Sequence, residues 1–255
     1  MSGKVVVITG ASAGIGAELA KQLAAQGHSL VLAARREAEL KQVAQACGRA
    51  IAVVADVTRR ADVERIRDEA LKSFGRVDVW VNNAGRGIGK RVLELTDSDI
   101  DEMILVNVKS ALYGMQAILP HFQQRGDGHL INVSSFLGRV PFATLRSAYS
   151  ASKAYLNSLT ANLRMDLARD YPRIHISTVM PGPVATDFHK NALGGTPQPA
   201  PGLQYQSPEE VAASMVRLIE KPAPELYTAP EQPGTAARYY QDIGAFEQGL
   251  LSGRR

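Results

Sequence analysis

Short apolar runs rich in β-branched residues alternate with helical stretches along most of the chain. The strand-like runs cover residues 5–9, 29–34, 50–56, 77–83, 128–135 and 175–182. The helical stretches cover residues 15–26, 37–47, 60–74, 97–124 and 146–170, the fourth of them ending near Pro120. This alternation predicts βαβ units and a parallel sheet that is buried on both faces. No internal boundary is visible, so we predict a doubly wound α/β fold in a single domain over residues 1–255.

The segment after the sixth strand breaks this alternation. Residues 183–207 are dense in glycine and proline. They follow the carboxyl end of a strand, which is where ligands bind in α/β folds. We predict a substrate lid at 183–207, with a plain surface loop as the alternative.

Regular patterns return in the C-terminal region. Ser207 is a predicted N-cap, followed by proline, for a helix over 208–220, and residues 225–230 are a predicted edge strand. Within the C-terminal tail, 231–255, apolar residues recur every three or four positions from 236 to 251. This spacing predicts an amphipathic helix that packs on the domain or on a partner subunit.

Composition excludes several classes of protein. The single cysteine, Cys47, excludes an internal disulfide framework, predicts a cytoplasmic location and lacks the neighbours of a metal site, so we expect no metal. The net charge of +4 comes from dispersed basic residues, which does not favour nucleic-acid binding. No run approaches the roughly 18 apolar residues of a membrane span.

A glycine-rich turn joins the first strand to the first helix. Residues 9–16 read TGASAGIG. Glycines permit a tight turn and a close approach of the backbone to a pyrophosphate, and the helix N-terminus then directs N–H groups at the phosphate. The turn therefore predicts a nucleotide-binding site.

The end of the second strand bears on which dinucleotide binds. It carries Arg35 and Arg36 where an acidic residue would accept from the ribose of NAD. Because arginine pairs well with a 2′-phosphate, Arg35 in particular predicts NADP(H) as the preferred cofactor, with NAD(H) as the alternative and a solvated Arg35 as the competing interpretation. Asp56, after the third strand, either accepts from the adenine amino group or, like Thr58, caps a helix.

Tyr149 and Lys153 are spaced as neighbours on one face of a helix. A lysine ammonium at that distance would lower the tyrosine pKa toward neutrality and make the phenol an acid/base catalyst. Alone, the pair is more typical of an amphipathic helix surface, with a tyrosine beside an extended lysine, than of a catalytic site. Ser135, fourteen positions before the tyrosine, supplies the further context.

In this order and setting, the motifs resemble those of the short-chain dehydrogenases/reductases in their single-domain soluble form. The matching pieces are residues 9–16, Asp56-Val57, Asn82-Asn83-Ala84-Gly85, Asn107, Ser135, Tyr149 with Lys153, and Pro181-Gly182. The resemblance covers nearly the whole chain. It implies a Rossmann-type sheet of seven strands in the order 3-2-1-4-5-6-7. It also implies a homo-oligomer, a dimer or homotetramer, that pairs the two long helices.

The resemblance implies a set of cofactor contacts. The cofactor-binding residues predicted here are Gly10, Ser12, Ala13, Gly14, Ile15, Gly16, Arg35, Arg36, Asp56, Val57, Asn83, Ala84, Gly85, Tyr149, Lys153, Pro181, Gly182, Val184 and Thr186. The four from Pro181 onward would hold the nicotinamide carboxamide. For Asn82 and Asn83, amides that tie neighbouring strands are an equally good interpretation.

The implied reaction is hydride transfer between nicotinamide and a carbonyl or secondary-alcohol carbon, with four catalytic residues. Tyr149 would donate or accept the proton, and Ser135, with Ser134 as the alternative, would form a hydrogen bond with the reacting oxygen. Lys153 would lower the tyrosine pKa and hold the nicotinamide ribose. Asn107 would bind a water in a proton relay, or bridge helix and sheet as a buried amide.

The substrate is not readable from the sequence. Candidate pocket residues are mostly apolar and predict a hydrophobic small molecule: Phe136, Leu137, Phe142, Leu145, Phe188, Leu193 and Leu203, with His189 as a polar contact or a surface residue. Two alternatives to this enzyme are a catalytically silent cofactor-binding regulator or scaffold of the same fold, and a nucleotide-sugar epimerase. The four intact catalytic positions disfavour the regulator, and the short region after Pro181 disfavours the epimerase.

Overall fold

The computed structural model describes residues 3–195 and 204–253. Seven strands form one parallel sheet in the order β3-β2-β1-β4-β5-β6-β7, as predicted. The strands are β1 (Val5–Thr9), β2 (Ser29–Ala34), β3 (Ala50–Val54), β4 (Val79–Asn82), β5 (Gly128–Val133), β6 (Ile174–Met180) and β7 (Glu225–Tyr227). Every residue of β1, β2, β4 and β5 is buried, because helices cover both faces of the sheet.

Helices form a layer on each face of the sheet. The helices are α1 (Gly14–Ala25), α2 (Glu37–Cys47), α3 (Arg60–Phe74), α4 (Asp97–Ile104), α5 (Ser110–Arg125), α6 (Ser147–Ala168), α7 (Pro208–Glu220), α8 (Gln232–Gln241) and α9 (Ile243–Leu251). Apolar residues of α1, α2 and α7 pack on one face, and those of α3, α5 and α6 on the other.

A buried polar thread fixes α6 on the sheet. The Asn82 amide donates to Asn132 Oδ1 at 2.9 Å, linking β4 to β5. The Asn132 amide donates in turn to Thr160 Oγ1 of α6 at 2.9 Å. Such buried polar groups cost free energy unless they are paired, so the thread sets the position of α6 against the strand ends.

The helical region predicted over 97–124 is present as Asp97–Arg125, but it differs from the prediction in two respects. It is divided into α4 and α5 by a π-helical segment, Leu105–Lys109. It also continues past Pro120 to Arg125, where Gly126 ends it in the left-handed region with φ 67°. Pro120 is tolerated because it lies on an exposed face, where solvent reaches the carbonyl that has lost its N–H partner.

The C-terminal prediction was partly right. Ser207 caps α7 through Glu210, with Ser207 Oγ accepting from Glu210 N at 3.1 Å and the glutamate accepting from Ser207 N at 2.8 Å. The single helix predicted over 236–251 is wrong, because extended backbone at Asp242 separates α8 from α9. The Asp242 carboxylate accepts from Ala245 N at 2.9 Å and so begins a new helix.

The proposed lid segment, 183–207, has little regular structure where it is described. It contains a short 3₁₀ helix at Asp187–Asn191, and residues 196–203, which include Leu203, lie outside the described residues. In the described part of the chain, no helix combines the length and the hydropathy needed to cross a membrane.

Candidate active site

The carboxyl ends of the strands surround a cavity. Its lining comprises Gly10, Ser12, Ala13, Gly14, Ile15, Arg36, Asn83, Ala84, Gly85, Val133, Ser134, Ser135, Tyr149, Lys153, Pro181, Gly182, Val184, Thr186, Asp187, Phe188 and Asn191. The cavity therefore brings together most of the predicted cofactor residues and three of the four predicted catalytic residues.

The glycine turn is shaped by close backbone approaches. Gly10 and Gly14 have φ of 68° and 56°, which L side chains rarely adopt. A Cβ on Gly16 would lie 2.6 Å from the Gly10 carbonyl oxygen, so this glycine allows α1 to pack on the turn rather than lining the cavity. The Asn83 amide holds the same turn by donating to the carbonyls of Thr9 at 2.9 Å and Gly10 at 3.2 Å.

The N-terminus of α1 opens into the cavity with its backbone donors unused by side chains. Its N-cap, Ala13, provides no side-chain cap, and its first turn contains no acidic residue. Free N–H groups and the positive end of the helix dipole form a binding site for an anion. The donor set fits the pyrophosphate of a dinucleotide.

The two arginines after β2 occupy different positions. Arg36 lines the cavity, and its Nε and Nη2 donate to Ser12 Oγ at 3.2 and 3.1 Å. Arg35 is exposed and does not line the cavity. The sequence argument relied on Arg35; the structure instead places Arg36 beside the phosphate-binding turn.

Asp56 and Val57 also lie outside the cavity lining. Asp56 Oδ1 accepts from Thr58 N at 3.0 Å and from Thr58 Oγ1 at 2.8 Å, which closes a local turn before α3. Val57 packs against the apolar cluster under α3 and α5. In the structure, Asp56 therefore closes a turn and Val57 packs in the core. Recognition of adenine by Asp56 stays a prediction.

Tyr149 faces the cavity from the first turn of α6, beside the end of β5. Burial raises the pKa of its phenol, and a hydrogen bond with the Ser135 side chain opposes this shift. Ser134 Oγ instead donates to the carbonyl of Lys153 at 3.2 Å, so its proton is engaged on the helix. Of the two serines, Ser135 is therefore the one in contact with the phenol.

Lys153 is a buried cation, 3% exposed, at the centre of the site. Its Nζ donates to the carbonyl of Val133 at 2.8 Å and lies 5.8 Å from the centre of the Tyr149 ring. Because an ammonium has three donors, two remain for groups in the cavity. A methyl group on Gly85 would lie 3.1 Å from Asn107 Oδ1 and 3.5 Å from this Nζ, so the glycine packs closely against Asn107 and lies next to the ammonium.

The pKa directions differ from the sequence-based expectation. Burial raises the pKa of Tyr149, and the opposing effects of Ser135 and Arg146 do not reverse this. Burial also lowers the pKa of Lys153 to about 8. The expectation that Lys153 pulls the tyrosine pKa toward neutrality is wrong for this structure, because desolvation outweighs the nearby charges.

Asn107 lies behind the cavity in the π-helical segment and is 1% exposed. Its Oδ1 accepts from Arg86 N at 2.9 Å, and its Nδ2 donates to the Arg86 carbonyl at 2.9 Å and to Ser152 Oγ at 3.1 Å. The side chain thus clamps the loop after β4, which is the buried-bridge interpretation. A role in a proton relay stays a prediction.

The predicted apolar pocket residues do not form one group. Phe188 lines the cavity and its ring is T-shaped to Tyr149, with centroids 5.7 Å apart. Phe136 and Phe142 contact each other at 6.3 Å, away from the cavity, in a cluster with the C-terminal helices. Leu193 packs with Ile88 beneath the tyrosine.

The sequence argument missed several cavity residues. Val133, Asp187 and Asn191 line the cavity, and Arg146 adjoins Tyr149. Asp187 and Asn191 begin and end a short 3₁₀ helix whose start is capped by the Thr186 hydroxyl. A Thr-Asp pair after a strand is a capping signal that could have indicated this turn. Among the described residues, no group of three potential ligands could hold a metal ion.

Comparisons with known proteins agree with this geometry. A family model described as short chain dehydrogenase matches residues 4–195. An uncharacterized oxidoreductase of Staphylococcus epidermidis is 37% identical over 184 residues, which is 72% of this chain and 79% of that protein.

Two solved structures show the same fold with a nicotinamide cofactor. A short-chain dehydrogenase/reductase from Burkholderia phymatum in complex with NAD has a TM-score of 0.86 and 27% identity, covering 96% of this chain and 95% of that one. A short-chain dehydrogenase from Sphingobium yanoikuyae in complex with NADPH has a TM-score of 0.80 and 29% identity, covering 99% and 96%.

The depressed lysine pKa predicts how Lys153 affects stability. Between pH 8 and 10.5 the folded lysine is neutral while the unfolded lysine is still charged, so the unfolded state binds more protons and stability rises with pH. Relative to Lys153→Met, the wild-type protein should therefore gain unfolding free energy as pH rises from about 8 to 10.5. Urea unfolding across this range measures the difference.

The exposed Lys41 provides the control. Lys41→Met should show no comparable pH-dependent difference from the wild type. A difference between wild type and Lys153→Met that stays constant with pH would show that the buried lysine has an ordinary pKa.

Proposed function

The chain belongs to the short-chain dehydrogenase/reductase family of NAD(P)-dependent oxidoreductases, and we propose that it reduces the carbonyl group of an apolar small molecule with NADPH. The contact of Tyr149 with Ser135, at the wall of a cavity that ends in a phosphate-binding turn, supports this proposal most directly. This arrangement places a proton donor, Tyr149, beside the predicted cofactor site. The reverse reaction, oxidation of a secondary alcohol, uses the same groups.

The residues of the cavity fit the pyrophosphate and the nicotinamide half of a dinucleotide. The turn at Gly10 and Gly14 and the free N-terminus of α1 would hold the pyrophosphate. The two unused donors of Lys153 would hold the nicotinamide ribose, and the segment from Pro181 to Thr186 would hold the carboxamide. When bound, the cofactor supplies the hydride.

Tyr149 would donate its proton to the carbonyl oxygen as that oxygen gains negative charge. Because burial raises its pKa, the phenol is protonated at neutral pH, as an acid in the direction of reduction must be. Ser135 would donate a hydrogen bond to the same oxygen. Lys153, one turn further along α6, would hold the cofactor with the donors that it does not use on the Val133 carbonyl.

We propose Arg36 rather than Arg35 as the residue that selects NADPH. Arg36 lines the cavity beside Ser12, where its guanidinium could pair with a 2′-phosphate. Among the solved relatives, one is in complex with NAD and another with NADPH, so the choice depends on this chain's own residues. We further propose a cytoplasmic location, in line with the single cysteine. We also propose that the protein is a homotetramer.

The first test concerns the proton donor. Tyr149→Phe should bind NADPH as the wild type does. Its kcat for the reduction of a carbonyl substrate should fall about 10²–10⁴-fold, which is the usual contribution of a general acid. Tyr155→Phe is a matched control, because Tyr155 lies on the same helix and is 53% exposed. Near wild-type turnover by Tyr149→Phe would overturn the assignment.

The second test concerns the choice of cofactor. In Arg36→Ala, kcat/KM with NADPH should fall about 10- to 100-fold, the value of a charge-assisted hydrogen bond, while the value with NADH changes little. Arg35→Ala should keep the NADPH preference. A wild-type preference for NADH, or loss of the NADPH preference in Arg35→Ala, would contradict this proposal.

A further inference from the structure

Arg146 lies at the start of α6 and has no acidic partner in the part of the chain that the structure describes. In the described residues its side chain makes one hydrogen bond, from Nη1 to the carbonyl of Ile88 at 3.3 Å. Burial lowers the pKa of its guanidinium, and the groups that oppose this shift are the hydroxyls of Tyr149 and Tyr205, not carboxylates. Since arginine stays protonated in proteins, this part-buried charge lacks a counterion.

The carboxylates of the surrounding loops are already paired with other cations. Three of them form salt bridges, with N–O distances of 2.7 Å for Asp99 and Lys90, 2.9 Å for Glu102 and Arg86, and 2.6 Å for Asp187 and Lys190. Residues 196–203, TPQPAPGL, contain no aspartate or glutamate. The neighbouring loops therefore leave the charge of Arg146 unbalanced.

The position of Arg146 at the N-terminus of α6 increases this positive charge. The helix has no acidic residue in its first turn and no side-chain cap. A helix N-terminus carries a partial positive charge, so a cation there is unfavourable unless an anion joins it. The charge of Arg146 and the helix N-terminus therefore both favour an anion near the start of α6.

Arg146 does not itself line the cavity but lies next to a residue that does. A methyl group on Gly87 would lie 2.8 Å from Arg146 Nη1 and 3.0 Å from Phe188 Cε1, so the guanidinium and the phenyl ring both lie beside this glycine. Phe188 also contacts the Tyr149 ring and lines the cavity. Arg146 precedes Tyr149 by three residues, and its charge lowers the tyrosine pKa.

We propose that Arg146 binds an anionic group of the substrate, so that the enzyme reduces oxo acids, carbonyl compounds that carry a carboxylate on a short apolar chain. This inference rests on the proposed carbonyl reduction. The carbonyl carbon receives the hydride of NADPH, its oxygen receives the proton of Tyr149, and the carboxylate is unchanged. The apolar part of the chain lies against Phe188.

Turnover of matched substrates tests the proposal. A series of oxohexanoates, differing in the position of the carbonyl, is compared with their methyl esters by the loss of NADPH absorbance. At least one acid should have a kcat/KM about tenfold or more above that of its ester, the value of a charge-assisted hydrogen bond. Arg146→Gln, which keeps a donor for Ile88, should abolish this ratio, and Arg146→Lys should keep part of it.

Arg164→Gln is the matched control. Arg164 also lies on α6, and within the described ranges its side chain donates only to backbone carbonyls, those of Ile176 and Pro224, each at 3.3 Å. Its variant should keep the wild-type ratio of acid to ester. If the wild type reduces esters as well as acids, or if Arg146→Gln lowers both equally, the role of Arg146 is refuted while carbonyl reduction stands.

Binding measurements keep the test independent of turnover. Octanoate and octanamide are titrated by calorimetry into the protein with NADP⁺. The wild type should bind octanoate about tenfold or more tightly, and Arg146→Gln should bind both equally. Equal binding by the wild type overturns the inference. Failure to reduce any acid or ester, with octanoate preference intact, would instead refute the proposed reaction.

Discussion

The site depends on a single buried hydrogen bond, from Lys153 Nζ to the carbonyl of Val133 at the end of β5. A lysine that is 3% exposed must satisfy its donors internally, and the strand carbonyl takes one of them. This bond sets the rotation of α6, and Tyr149 lies one turn earlier on the same face. The polar thread from Asn132 to Thr160 holds the same helix further along. The way α6 is fixed on the sheet therefore determines that Tyr149 and Lys153 face the cavity.

The charges around Tyr149 are arranged differently from the simple picture of a tyrosine beside a lysine. The ammonium lies 5.8 Å from the ring centre, and its own pKa is depressed by burial. Arg146 and the Ser135 hydroxyl are the groups that lower the tyrosine pKa, and burial outweighs both. The phenol thus stays protonated and can act as an acid. The positive charge of Arg146 favours the phenolate form of Tyr149. An anion bound at Arg146 would offset this charge, and Tyr149 would keep its proton until the proton is transferred.

Much of the fold could be predicted from local patterns. The limits of β1, β2, α2, α3 and α7 match the predicted ones, because their apolar spacing and capping residues are local signals. The interruption at Leu105–Lys109 was not predicted, since π-helical turns are rare and occur mostly as single turns inside longer α-helices. Arg35 and Arg36 are adjacent, and only the path of the chain after β2 shows which of them faces Ser12. The tyrosine pKa depends on desolvation, and the isolation of Arg146 depends on where every nearby carboxylate is paired, so neither can be read from spacing.

The claim that burial keeps Tyr149 protonated can be measured directly. The near-ultraviolet absorbance of tyrosinate is titrated in the wild type and in Tyr149→Phe, and the difference between the two curves isolates this residue. The account predicts a midpoint above the ordinary tyrosine pKa of about 10. A midpoint near neutrality would show that the neighbouring cations outweigh burial, and would contradict the account.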